Sequence, residues 1–237
     1  MSEGLLEALL RQGLEELNLD ADAQTLSRLR RYYELLEEQN RVMNLTAISG
    51  EEEVARLHFL DCAALLRLAP LEGRVIDVGS GAGFPGLVLK ILRQELEMTL
   101  LDSLDKRVRF LQTVCEALEL QGVSCLHARA EEAPAALRES FDAAVSRAVA
   151  RLDLLSELCL PFVRPGGRFI AMKGPGAAEE LEQAQRAIRL LGGEPEGCAA
   201  YPVPGTERRH CAVLVRKTGP TPGKYPRKWA QMKKQPL

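Results

Sequence analysis

No uninterrupted apolar run in these 237 residues approaches the about 18 needed to cross a bilayer, so a spanning helix is excluded. Zinc-finger and dithiol redox chemistry are excluded as well. The six cysteines include no C-x-x-C pair, and His58, His127 and His210 stand at no zinc-binding spacing, so no metal is expected. Aromatic residues are only 5% of the chain, with one tryptophan, which leaves few rings to line an acceptor pocket for a small molecule. There is no internal repeat, and no secretory leader is expected, since Arg11 arrives early and acidic residues are frequent. The expected address is cytoplasmic, and a monomer is expected.

Net charge is small too, at −2, but it is unevenly spread. Residues 1–70 hold 13 Asp/Glu against seven Lys/Arg, whereas 206–237 hold nine Lys/Arg and one Glu. A basic end on a nearly neutral chain suits a polyanionic partner, or a solvated tail. The hydrophobic share of 46% supports a packed core, in which Cys62, Cys125, Cys159 and Cys211 read as reduced thiols.

The apolar periods divide the chain into three parts. Leu5, Leu6, Leu9, Leu10 and Leu14, then Leu26, Leu29, Tyr32, Leu35 and Leu36, recur at helical spacing, and Glu51 to Leu68 resumes it after "NRVMNLTAI". Residues 1–70 therefore form an N-terminal helical cap. From Arg74, strands alternate with helices: "RVIDVG", "EMTLLDS", "VSCLHAR", "DAAVSRAV" and "GRFIAMKG" are strands of a mostly parallel sheet. "EGCAAYPVP" and "RHCAVLVRK" are joined too closely for a crossover helix and predict an antiparallel hairpin at the sheet edge. Residues 71–218 form this α/β domain of seven strands, and 219–237 a basic Pro/Gly-rich tail.

The stretch "VIDVGSGAGFPG" puts four glycines where an open α/β sheet binds its ligand, just beyond a central strand. Gly81, Gly83 and Gly86 spell G-x-G-x-x-G, the dinucleotide pattern. A strand end at Val78 makes Gly79 the turn glycine instead, and Pro85 falls where a phosphate-binding helix would already be donating N–H groups. Asp77-x-Gly79-x-Gly81-x-Gly83 better suits a loop that holds a nucleoside and an amino-acid moiety, with Asp77 orienting an ammonium group. Asp102, ending the second strand, stands where a carboxylate accepts both ribose hydroxyls, a feature common to NAD and S-adenosylmethionine sites. Ala130 and Glu131 follow the third strand and are placed for an adenine edge. A dinucleotide fold has no reason to end in the terminal hairpin, so the order of features favours an S-adenosylmethionine-dependent methyltransferase.

Its acceptor is narrowed by two further gaps. After the fourth strand, "SRAVARLD" contains neither the [DN]-P-P-[FYW] motif used for exocyclic amines nor the Pro-Cys nucleophile needed at a pyrimidine carbon. Guanine N7 carries a free lone pair and needs neither. Arg147 is a candidate to hold O6 or a phosphate, or to pack against the cofactor. Lys173 and the nine cations between Arg208 and Lys234 are candidates for RNA phosphates, and Tyr225 and Trp229 either stack on a base or pin the tail.

"NLTAI", "HFLD", "VIDVGSGAGFPG", "LLDSLDKRVRFL", "SRAVA", "MKGP" and, near the end, "YPRK" occur in the order that marks the bacterial 16S rRNA (guanine-N7)-methyltransferase family (RsmG, glucose-inhibited division protein B), which this chain resembles from Asn44 to Pro175 and again at Tyr225 to Lys228. The resemblance implies a Rossmann-like class I methyltransferase that transfers a methyl group from S-adenosyl-L-methionine to N7 of one guanine of 16S ribosomal RNA, leaving S-adenosyl-L-homocysteine. Its role would be in rRNA processing, as an RNA-binding enzyme of the small ribosomal subunit. By resemblance, Gly79 and Phe84 touch the cofactor, Asp102, Ser103 and Leu104 hold its ribose side, Ala130 and Glu131 contact adenine, and Arg147 lines the pocket. Asn44, in "NLT", resembles the family's asparagine on the acceptor side, and with Arg147 it is the expected catalytic pair. The ending "KWAQMKKQPL" departs from the family's glycine-proline segment. The competing expectation is a small-molecule methyltransferase with residues 1–70 as its lid.

Overall fold

A computed structural model describes residues 4–147 and 149–237; Ala148, inside the "SRAVA" run, lies outside the described residues. Seven strands form one sheet in the order β3-β2-β1-β4-β5-β7-β6. They are β1 (Arg74–Val78), β2 (Glu97–Asp102), β3 (Val123–His127), β4 (Phe141–Arg147), β5 (Val163–Lys173), β6 (Gly193–Pro202) and β7 (Arg209–Lys217). The first five pair in parallel; β7 enters antiparallel between β5 and β6, so the predicted hairpin is present with β6 at the edge. The chain runs from β1 to β2 on one side and reaches β4 on the other. This is the switch point at which open α/β sheets leave a crevice beyond their carboxyl ends.

β1 is buried from Val75 to Val78, as expected of a central parallel strand covered on both faces. A carboxylate at Asp77 is therefore the exception in that strand. Helices α6 (Gly86–Leu92) and α7 (Asp105–Ala117) cover one face. Their burial follows the helical period: Val108, Phe110, Leu111 and Val114 of α7 are buried, and Arg109, Gln112 and Thr113 between them are exposed.

The cap lies on this same face. It begins with α1 (Leu5–Glu16) and α2 (Ala23–Met43). The side chain of Asp22 accepts the Thr25 N–H at 2.7 Å to start α2, and Asn44 ends it in the left-handed conformation. Leu6, Leu10, Leu26, Leu29 and Leu36 share one buried cluster with Leu87, Leu100 and Val114. The expected boundary at residue 70 therefore separates no core: the cap and the sheet bury a common apolar surface. The predicted helix over Glu51–Leu68 is interrupted. It runs as α3 (Glu51–Val54), a π-helical stretch over Ala55–Leu60, then α4 (Asp61–Ala63) and α5 (Leu65–Leu68). Such widened turns cluster at functional sites, and this one carries His58.

On the opposite face lie α8 (Leu152–Cys159) and α9 (Ala177–Leu190). The connection from β3 to β4 has only two three-residue 3₁₀ turns, Ala130–Glu132 and Ala135–Leu137. The C-terminal segment fills the space a crossover helix would take. Tyr225 and Met232 of that segment are buried with Val78, Leu101 and Leu155, and Trp229–Lys234 forms α10. The tail is thus packed, not solvated, because it completes this layer of the core. Two of the phosphate contacts expected of the basic end at 206–237 are spent inside the protein. Lys217 is fully buried, donates to Leu160 O at 2.8 Å and pairs with Glu139 at 3.3 Å. Burial pulls its pKa down to about 8. Arg227 pairs with the buried Glu157 at 2.6 Å.

Candidate active site

A cavity of about 400 Å³ opens beyond the carboxyl ends of β1, β2 and β4. That size suits a small organic ligand. One wall is the glycine loop, which Gly79 turns away from β1 at φ 77°. The N–H groups of Gly79 and Ser80 both donate to Leu101 O, at 2.8 and 3.0 Å, so the loop is tied to β2. A Cβ at Gly79 would lie 2.5 Å from Val149 Cγ2. Gly83 serves packing instead: a Cβ there would strike Leu87 and the Tyr32 hydroxyl, and the residue is not in the cavity wall. Tyr32, fully buried on α2, donates its hydroxyl to Ala82 O at 2.5 Å. The cap therefore fixes the loop directly.

The acidic residues separate into two roles. Asp102 is buried at the wall of the cavity; its Oδ2 accepts the Gly81 N–H and its Oδ1 the Leu104 N–H, both at 2.9 Å. It joins the glycine loop to the loop after β2, and each oxygen retains a lone pair for a ribose hydroxyl. Asp77 departs from expectation. It sits behind the loop, outside the cavity wall, where its Oδ2 accepts the Gly86 N–H at 2.8 Å. Its Oδ1 is buried with no partner, and burial raises its pKa to about 7. Asp77 seats the start of α6 against β1 and does not line the cavity.

Phe84, expected at the cofactor, lies at the centre of a stack. The His58 ring is parallel to it at 4.2 Å, and the Arg147 guanidinium lies over it at 4.8 Å. The Phe84–Pro85 peptide bond is cis. Arg147 lines the cavity, but its donors are turned inward, to Leu57 O at 3.2 Å, His58 Nδ1 at 2.8 Å and Asp61 Oδ2 at 3.4 Å. A guanidinium so engaged holds Phe84 in place; it is not presented to an incoming phosphate. His58 is bracketed by Thr46 Oγ1 at 2.9 Å and Arg147, and burial beside that cation pushes its pKa down to about 3. It is neutral at any ordinary pH.

The remaining expected residues divide. Ser103, Gly81, Ala130 and Glu131 line the cavity. Leu104 does not: it is exposed, and it contributes its backbone N–H to Asp102. Asn44 is an exposed helix cap beside the wall residues Leu45 and Thr46, not in the wall itself. Lys173 is held by Glu180 and Ala150 O, each at 2.7 Å, away from the cavity. Sequence reading gave no role to His58, Asp61, Arg107 or Tyr201. Asp61 is nearly fully buried and accepts from Tyr201 at 2.9 Å and His210 at 2.8 Å, besides facing Arg147. The "HFLD" run quoted for its resemblance carries both His58 and Asp61.

The parallel sheet with its terminal antiparallel hairpin, and a glycine loop facing a buried carboxylate on the next strand, define a class I methyltransferase. Solved structures agree on the fold. The antibiotic-resistance methyltransferase Kmr overlays with a TM-score of 0.52 at 20% identity, over 68% of this chain and 94% of that one. A point mutant of the 16S rRNA (adenine(1408)-N(1))-methyltransferase from Catenulisporales acidiphilia gives 0.54 at 15% identity, over 68% and 91%. Sequence relatives narrow the class. The family model described as GidB, rRNA small subunit methyltransferase G, matches residues 25–210. The ribosomal RNA small subunit methyltransferase G of Alkaliphilus oremlandii is 44% identical over 98% of this chain and 99% of its own, and that of Clostridium botulinum (strain ATCC 19397 / Type A) is 43% identical over 97% and 98%. The chain belongs to the rRNA small subunit methyltransferase G family.

Proposed function

We propose that this protein methylates N7 of one guanine in 16S ribosomal RNA, with S-adenosylmethionine as donor, in the cytoplasm. The observation that carries this reading is the cavity between Gly79 and Asp102, in a chain whose close relatives are named for small-subunit rRNA methylation. The residues present fit the cofactor. Asp102 offers charged acceptors for a ribose, Ala130 and Glu131 border the space beyond β3, and the bare backbone at Gly79 and Gly81 allows close approach. When bound, S-adenosylmethionine supplies an electrophilic methyl group on a sulfonium.

The protein's own part is alignment. Asp102 holds the ribose end while the glycine loop, fixed by Tyr32 and Leu101 O, sets the depth of binding. The Arg147–Phe84–His58 stack forms a rigid floor. The wall carboxylates, Asp102 and Glu131, stand on the side assigned to the ribose and adenine, and among the described residues no cysteine lines the wall. Cys62 and Cys159 are fully buried with thiols pushed up by desolvation, and both His58 nitrogens are engaged. This chemistry suits an acceptor that attacks with an existing lone pair and loses no proton, as guanine N7 does. The test is methylation of small subunits from a strain lacking this gene, followed by nucleoside mass spectrometry. One 7-methylguanosine per 16S RNA is expected. Label on another base, or only in a metabolite pool, would refute the reading and favour the small-molecule alternative.

A further inference from the structure

The C-terminal segment reaches the cavity, and its anchoring is built. Arg138 donates to Thr221 O at 2.6 Å and Tyr225 O at 2.7 Å. Glu157, buried on α8, accepts both the backbone N–H and Nε of Arg227, at 2.8 and 2.9 Å. Met232 is fully buried one turn along α10. These clamps bring Trp229, the first residue of α10, half-buried to the cavity wall with Ala130, Glu131 and Leu158.

We propose that Trp229 is the aromatic wall against which the adenine of the bound nucleoside packs, so that the C-terminal segment is part of the cofactor site. This rests on the S-adenosylmethionine reading above. Three rings border the cavity. Phe84 stacks on His58 and lies under Arg147, and both rings are buried. Trp229 makes no ring stack or cation contact with another of the described residues. It rests on the same core layer as Ala128 and Ala130, the small residues after β3. Small residues and an indole with no stacked ring partner on the same stretch of wall suit a flat purine, and base–aromatic stacking is a sequence-tolerant source of affinity.

Trp229 is the sole tryptophan of the chain, so its emission reports on the slot. The experiment titrates S-adenosylhomocysteine, and separately adenosine, into the full-length protein, by fluorescence and by calorimetry. Wild-type emission should change with the midpoint that calorimetry gives. W229A should bind both ligands about tenfold more weakly and W229F within about threefold, with circular dichroism confirming that both variants are folded. Emission unmoved at calorimetric saturation would overturn the proposal, whatever the variants do. So would W229A binding S-adenosylhomocysteine normally while its KM for small subunits rises, which would give the ring to the acceptor. Wild-type protein that binds neither ligand would instead sink the methyltransferase reading itself.

Discussion

Replacing Asp61 with asparagine tests whether the cavity floor is held from behind. Asp61 joins three parts of the chain: its Oδ1 accepts from Tyr201 on β6 and His210 on β7, and its Oδ2 faces Arg147 at the end of β4. Asparagine keeps the shape and one acceptor oxygen but removes the charge. The carboxylate side chain is 3% exposed and that of Arg147 16%, so solvent does little to screen the pair. Removing one partner of a buried pair costs about 3–5 kcal/mol. Arg147 retains Leu57 O and His58, and its contact with Asp61 is long at 3.4 Å, so about 2–3 kcal/mol is expected here. In a chain of this size that lowers Tm by roughly 5–10 °C. The cofactor Kd should also rise severalfold as Phe84 loses its fixed guanidinium. A pH signature separates this from generic damage. The hydrogen bond to Asp61 raises the His210 pKa, so the stability it contributes is complete below the unfolded value and is lost as pH rises through the folded one. Asp61→Asn should flatten that part of the profile. Thermal unfolding by circular dichroism and calorimetric titration with S-adenosylhomocysteine measure both effects. A variant that melts within about 1 °C of wild type and binds equally well would refute the anchoring role.

Asp102→Ala should weaken S-adenosylhomocysteine binding at least tenfold, and should also lower cofactor-free stability by about 2–4 kcal/mol, because two backbone N–H groups lose a charged acceptor; normal binding by calorimetry would show that Asp102 is only a loop tie. Asp77→Asn should stabilise the protein increasingly between pH 4 and 7. The raised pKa means that the wild-type unfolded state ionises first as pH rises, at a cost of at most about 4 kcal/mol by pH 7. Urea unfolding at pH 5 and 8 checks this, and unchanged cofactor affinity is expected, since Asp77 lies outside the wall; a large loss of affinity would restore the ammonium-binding role. Gly79→Ala should abolish cofactor binding through a strained φ of 77° and the Val149 contact, and S-adenosylhomocysteine affinity near wild type would show that the loop yields.

What the sequence made legible was local. The strand end at Val78 follows from an apolar run meeting glycine, and it stands where it was expected. Asp102 could be placed by counting from the glycine loop, because β2 follows in the same unit. The same counting misassigned Asp77. Its position at a strand end is visible in sequence, but the direction of its side chain depends on how closely α6 approaches. That approach is set by Gly86, where a Cβ would lie 2.5 Å from Leu100 and 2.7 Å from the Asp77 carboxylate.

The residues missed share a different property: their partners are far away in the chain. His58 meets Arg147 across 89 positions, and Asp61 meets His210 across 149. Neither pairing has a spacing to read. The one available signal was a polar pair, His58 and Asp61, inside a run of otherwise buried helix. Buried polar groups are rarely left unpaired, and two of them within a helix imply partners from elsewhere in the fold. The π-helical stretch at Ala55–Leu60 gives no sequence signature, yet it sets the side chains on which that pairing depends. The C-terminal segment is the complementary case. Its composition reads as a solvated basic tail, because Pro, Gly and Lys dominate it. Its packing is decided by a vacancy elsewhere, the missing helix between β3 and β4, into which Tyr225 and Met232 fit. A short connection between two parallel strands is therefore a reason to look for a distant segment that covers the exposed face, and in this chain that segment brings to the cavity Trp229, which the sequence left either stacking on a base or pinning the tail.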